Sequence, residues 1–140
     1  MKEFDVRTRV YFGQDALDRL KEMPYKRVLI IADPFVVTSG MVQHAVRRLQ
    51  EVGATYTIHS DVVPDPPIDK VVGGISVALK FRPEVIVAIG GGSAIDLSKS
   101  VRKFAKNVDP TFDAKLIAVP TTSGTGSRRD ISPLVKIRVG

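Results

Sequence analysis

The chain has 140 residues, with 21 Lys and Arg against 15 Asp and Glu, two His, no Cys and no Trp. Without cysteine there are no disulfides and no thiolate-ligated zinc or iron–sulfur centres. No apolar run nears the roughly 20 residues of a membrane helix, and MKEFDVRTRVYF lacks a signal-peptide core; the expectation is one soluble, cytoplasmic domain.

In chain order, Val6–Tyr11 reads as an outer strand and Gly13 to Met23 as a short helix. Val28–Ala32 is an apolar run between Lys26-Arg27 and Asp33-Pro34, the pattern of a buried strand. From Ser39 to Val52 the apolar positions Val42, Ala45, Val46, Leu49 and Val52 recur at helical spacing, with Arg47, Arg48, Gln50 and Glu51 outward. Gly53 follows where a helix-ending glycine belongs. Thr55–His59 is a second strand. The prolines of VVPDPPIDK preclude regular structure and lead into a helix over Ile68 to Phe81. Its expected face is Val71, Val72, Ile75 and Leu79, and Gly73-Gly74 inside it costs about 1 kcal/mol per glycine.

Val85–Ile89 is all apolar and rich in β-branched residues, as in the centre of a parallel sheet. The next helix has an expected face of Ala94, Leu97, Val101, Phe104 and Ala105. Its outer side carries Lys99, Arg102, Lys103 and Lys106; Arg128, Arg129, Lys136 and Arg138 fall in the tail. With Phe104 assigned to the buried face, no aromatic is expected on the outward side with either basic group, as a nucleic-acid platform needs, so the net charge of +6 reads as solvated surface. Leu116–Val119 is a fourth strand, closed by Pro120. Strand–helix alternation of this kind specifies an α/β fold: a Rossmann-like parallel sheet with helices on both faces.

Ligands of such sheets bind beyond the carboxyl ends of the strands. The residues there are Asp33, the loop around Asp65, Gly90-Gly91-Gly92-Ser93, and Thr121-Thr122-Ser123-Gly124-Thr125-Gly126-Ser127. Glycines let an anion approach backbone N–H groups, and the start of the following helix adds partial positive charge. Ser93-Ala94-Ile95-Asp96 matches a capping box with Asp in the last place. The loop reads either as a pyrophosphate cradle or as a tight capped turn without ligand. It fails the G-x-G-x-x-G pattern, since Ile95 stands where the third glycine belongs. Asp33 reads either as a ribose acceptor or as the start of an Asp-Pro turn. His44 and His59 lack metal-pair spacing and read as structural or surface residues.

Together, YFGQDALDRL, IADPF, DVVPDPPID, GGGSAIDLSKS and LIAVPTTSGTGS resemble, in order, the N-terminal half of the iron-dependent (group III) alcohol dehydrogenases, from about Asp5 to Ser127. The nearest subgroup is the 1-propanol and 1,3-propanediol dehydrogenases. The resemblance implies the dehydroquinate synthase-like N-terminal fold and an NAD-binding domain, with NADP as the alternative cofactor. In that arrangement Asp33 faces the adenosine ribose and Asp65 lies near the adenine. Gly91, Gly92, Ser93, Ala94 and Ile95 wrap the pyrophosphate, and Thr121, Thr122, Ser123, Gly124 and Thr125 line the cofactor. An acid at position 33 repels a 2′-phosphate, which favours NAD.

The sequence departs from the family after Ser127. Arg128-Arg129-Asp130 replaces the family's Glu and Val-Thr, and ISPLVKIRVG has no counterpart. The expected organisation is an NAD(P)-binding domain at 1–127 and an atypical tail at 128–140. The family's helical second domain, whose Asp and three His bind iron or another divalent metal, has no counterpart here. The resemblance therefore implies the cofactor side of an alcohol–aldehyde hydride-transfer enzyme, with no catalytic or metal residue of its own and inactive alone. Its expected partners are the dinucleotide, a small alcohol or aldehyde in the full-length family, and a second copy of the chain, with no nucleic acid and no membrane. Two other readings stay open: a non-catalytic fragment that self-associates through the face a second domain covers, and the nucleotide-binding half of a glycerol- or dehydroquinate-type enzyme.

Overall fold

A computed structural model describes residues 10–12, 24–121 and 136–139. The elements run β1 (Val10–Phe12), β2 (Arg27–Ala32), α1 (Pro34–Thr38), α2 (Val42–Glu51), β3 (Thr55–His59), α3 (Ile68–Phe81), β4 (Val85–Gly90), α4 (Gly92–Val108), β5 (Lys115–Pro120) and β6 (Lys136–Val139). They build one sheet in the order β1-β6-β5-β4-β2-β3. β3, β2, β4 and β5 are mutually parallel, while β6 runs antiparallel to β5 and β1 antiparallel to β6.

The apolar runs become the parallel centre because both of their faces are covered. Val28, Ile30, Ala32, Val85, Val87, Ile89, Ile117 and Val119 pack on one side with Val36 of α1 and Val42, Ala45, Val46 and Leu49 of α2. Leu29, Ile31, Ile86, Ala88 and Leu116 pack on the other with Ala78 of α3 and Ala94, Leu97, Val101 and Ala105 of α4. Ile30, Ile31, Ile86 and Ile117 are wholly buried, each contributing about 1.5–3 kcal/mol of transfer free energy. At the amino edge of the sheet the Glu84 carboxylate accepts the Lys26 N–H at 2.6 Å and the Arg27 N–H at 3.3 Å. The Arg27 guanidinium lies 4.2 Å from the centre of the Phe81 ring. That edge is thereby closed with local partners.

Several details differ from the sequence-based expectation. The first strand is Val10–Phe12; residues 6–9 and the helix expected over Gly13 to Met23 lie outside the described residues. The sheet is parallel only in part, since Lys136–Val139, within the stretch expected to be an atypical tail, adds an antiparallel strand beside β5. A short helix, α1, precedes α2, with Asp33 at its N-cap position and Pro34 in its first turn, where a fixed φ suits helix entry. Gly53 ends α2 as expected, at φ 72°.

Two expected core residues face outward: Val72 is 53% exposed and Phe104 43% exposed. Gly74 and Ser98 take the buried positions. Ser98 is tolerated there because its hydroxyl donates to the Ala94 carbonyl at 2.8 Å.

Candidate nucleotide-binding edge

From β2 the chain crosses to β3 on one side and then to β4 on the other. Neighbouring parallel strands whose connections leave in opposite directions open a crevice at their carboxyl ends. The register places those ends side by side: Ala32 pairs with Ile89, and Gly90 with Pro120. Asp33, the glycine loop and Thr121 therefore meet at one edge, although 88 positions separate Asp33 from Thr121 in the chain.

The central contact is between Asp33 and Gly91. The Gly91 N–H donates to Asp33 Oδ2 at 2.8 Å. The Asp33 N–H donates to the Ile89 carbonyl at 3.3 Å, and the Thr121 N–H to the Gly90 carbonyl at 3.0 Å. Gly90 has φ 143°, and a β-carbon there would collide with the Asp33 carboxylate. The sequence placed Gly90 in the glycine loop but not among the residues expected to wrap the pyrophosphate. The available signal was its place as the last residue of an apolar strand, directly opposite an Asp-Pro turn.

Ser93 is not the helix cap expected of a capping box. α4 starts at Gly92 with Gly91 at the N-cap, and no side chain caps it. Three glycines let the chain turn one residue earlier than the serine, so Ser93 lies within the first turn. The N–H groups of Gly92, Ser93 and Ala94 consequently have no acceptor within the helix. Ile95 N–H makes the first helical bond, to the Gly91 carbonyl at 3.2 Å. Gly92 is exposed, and a β-carbon there would meet nothing within 4 Å.

Thr121 Oγ1 is buried and has no hydrogen-bond partner among the described residues. Asp65 lies in the loop after β3, exposed and left-handed at φ 44°, and takes no part in the hydrogen bonds joining Asp33, the glycine loop and Thr121. Thr122, Ser123, Gly124 and Thr125 lie outside the described residues. His59 Nε2 is buried without a partner; burial lowers its pKa from 6.5, and nearby Asp61 partly offsets this. Among the described residues no group of His, Cys, Asp or Glu could hold a metal ion, and no helix is long and apolar enough to cross a membrane.

A helix start without a side-chain cap, an orphaned hydroxyl and an acid at the neighbouring strand end sit at the carboxyl edge of a doubly wound, Rossmann-like α/β domain. Residues 7–132 match the family model for iron-containing alcohol dehydrogenase, and the chain belongs to that family. It is 39% identical over 127 residues to 1-propanol dehydrogenase PduQ of Citrobacter freundii, covering 91% of this chain and 34% of that protein. The chain thus spans about a third of the length of the curated relatives it matches.

Among solved structures, the iron-containing alcohol dehydrogenase of Thermococcus thioreducens superposes with a TM-score of 0.75 at 25% identity, over 96% of this chain and 42% of that one. Sulfoacetaldehyde reductase of Bifidobacterium kashiwanohense, solved in complex with NAD+, gives 0.64 at 28% identity, over 81% and 33%.

Proposed function

We propose that these residues form the cofactor-holding part of an alcohol dehydrogenase that exchanges hydride between a small alcohol and a nicotinamide dinucleotide. The observation that carries this reading is the row of uncapped N–H groups at Gly92, Ser93 and Ala94, at the crevice between β2 and β4. These donors suit the diphosphate, aided by the positive end of α4. Thr121 Oγ1, buried and otherwise unsatisfied, supplies a hydroxyl to the same ligand, with Thr122, Ser123, Gly124 and Thr125 continuing the lining. Asp33 receives the adenosine ribose and Asp65 flanks the adenine. The bound nicotinamide supplies the hydride chemistry; this chain's residues bind and orient it. The relative solved with NAD+, together with the acid at position 33, supports NAD over NADP.

The described residues do not fit the family's metal, and no step is assigned to one. Residues 1–127 serve as the NAD(P)-binding domain, with 128–140 as its tail, and the chain acts in the cytoplasm. On this reading the 140 residues bind cofactor without turning over alcohol. Calorimetry with NAD and NADP tests the first part: binding of NAD is expected, and no binding of either at millimolar concentration overturns it. Propanol oxidation by the pure chain in the presence of NAD and ferrous or zinc ions overturns the second.

A second reading, self-association without catalysis, draws on two exposed apolar residues at helix starts on the carboxyl edge, Ile68 at 77% and Phe35 at 52%. Light scattering decides it: a monomer removes this reading.

A further inference from the structure

Asp33 is usefully separated into two properties, its charge and the hydrogen bond that it accepts. The carbonyl of Gly90 and the N–H of Gly91 belong to one peptide unit. That unit is held at both ends: Thr121 N–H donates to its carbonyl at 3.0 Å, and its own N–H donates to Asp33 Oδ2 at 2.8 Å. Glycine on both sides leaves little steric barrier to a flip of this peptide. A flip would aim the Gly90 carbonyl at the Asp33 carboxylate and break both bonds. No side chain caps α4, so the latch is the side-chain contact at its entry.

We propose that Asp33 is a positioning residue for the glycine loop: by latching the Gly90–Gly91 peptide it keeps the N–H groups of Gly92, Ser93 and Ala94 turned toward a diphosphate. The diphosphate half of this proposal rests on the dinucleotide reading above; the latch rests on the geometry alone. The two properties of Asp33 act in opposite directions. A carboxylate beside an anion site repels the anion, whereas the latch assembles the site. Asparagine removes the charge and retains an oxygen that can accept from Gly91. Alanine removes both.

The test uses the 140-residue chain, its Asp33→Asn and Asp33→Ala variants, inorganic pyrophosphate and ADP as probes, and amide hydrogen exchange. In the wild type the Gly91 amide is expected to exchange at least about tenfold more slowly than those of Gly92 and Ser93, since only Gly91 has an acceptor. Asp33→Asn keeps that protection and binds pyrophosphate at least as tightly as the wild type. Asp33→Ala loses it and binds pyrophosphate about fivefold more weakly than Asp33→Asn, the value of one hydrogen bond.

Equal pyrophosphate affinities for the two variants overturn the proposal, because charge alone then explains Asp33. An unprotected Gly91 amide in the wild type also overturns it, and needs no variant to fold. Wild-type protein that binds neither probe overturns the diphosphate half together with the dinucleotide reading; Gly91 protection then decides the latch separately.

Discussion

Gly74 of α3 lies so close to Val101 of α4 that a β-carbon added to it would stand 2.8 Å from Val101 Cγ2. Val101 is wholly buried, so it cannot swing away. Gly74→Ala is therefore expected to destabilise the fold by about 1–3 kcal/mol through overpacking. The adjacent Gly73 has open space over its β-position; Gly73→Ala is expected to stabilise by about 0.5–1 kcal/mol, by helix propensity alone. Urea unfolding midpoints should move in opposite directions, and movement in the same direction would refute the packing argument.

His59 gives the fold a pH dependence. Burial holds its pKa below 6.5, so the unfolded chain binds this proton more readily than the native one. Stability is then retained above about pH 6.5 and lost as pH falls below it. Thermal melts from pH 7.5 downward should show this slope, reduced in His59→Asn. An unchanged slope in the variant would assign the effect elsewhere.

Asp109, just beyond α4, accepts from the Thr111 hydroxyl at 2.6 Å and the Thr111 N–H at 3.0 Å, and pairs with Arg82. These partners, the Thr111 hydroxyl foremost, lower its pKa to about 2. The sign is opposite to that of His59: the stabilisation is present above the ordinary value of 3.8 and lost as pH falls toward 2. Asp109→Asn should flatten the acid limb of the stability curve below about pH 4 and leave the His59 slope intact.

Thr121→Val replaces an unsatisfied buried hydroxyl with a methyl of similar size. Stability is expected to stay level or to rise by up to about 1 kcal/mol, since an unpaired polar atom no longer has to be buried. ADP affinity is expected to fall about fivefold. A loss of stability with unchanged ADP binding would make Thr121 structural.

The Asp33 carboxylate should govern the choice of cofactor. Two charges about 5 Å apart at an effective dielectric near 20 repel by about 3 kcal/mol. Asp33→Asn should therefore shift the ratio of NADP to NAD affinity toward NADP by at least about tenfold, measured by calorimetry. An unchanged ratio would place the 2′-position away from Asp33.

The parallel sheet was legible because Val28–Ala32, Val85–Ile89 and Leu116–Val119 are continuous apolar runs, which a doubly covered sheet requires. Periodicity misjudged Val72 and Phe104, because it reports which residues share a face but not where that face stops. Gly73-Gly74 read as a weakness of α3, whereas Gly74 is where two helices touch; that demand lies on Val101, which is distant in sequence. Local motif also misplaced the cap: Ser93 has the right neighbours, but the glycines before it let the helix begin at Gly92. The site's acid and loop were visible separately. Their hydrogen bond, across 58 positions, follows only from strand order. The second antiparallel strand, β6, was not anticipated, although Val135-Lys136-Ile137-Arg138-Val139 alternates apolar and polar residues as a half-covered strand does.

That strand ties the two ends of the chain together. β1 meets the sheet through β6, and β6 in turn through Ile117 and Ala118 of β5. The ladder is therefore a series circuit: among the described strands, β6 is the link by which β1 reaches β5. Cutting the chain just before Lys136 would strip two strands from the sheet and bare the flank of β5, next to the Thr121 end of the crevice. Removing the chain through Phe12 would cost, of the described strands, β1 alone.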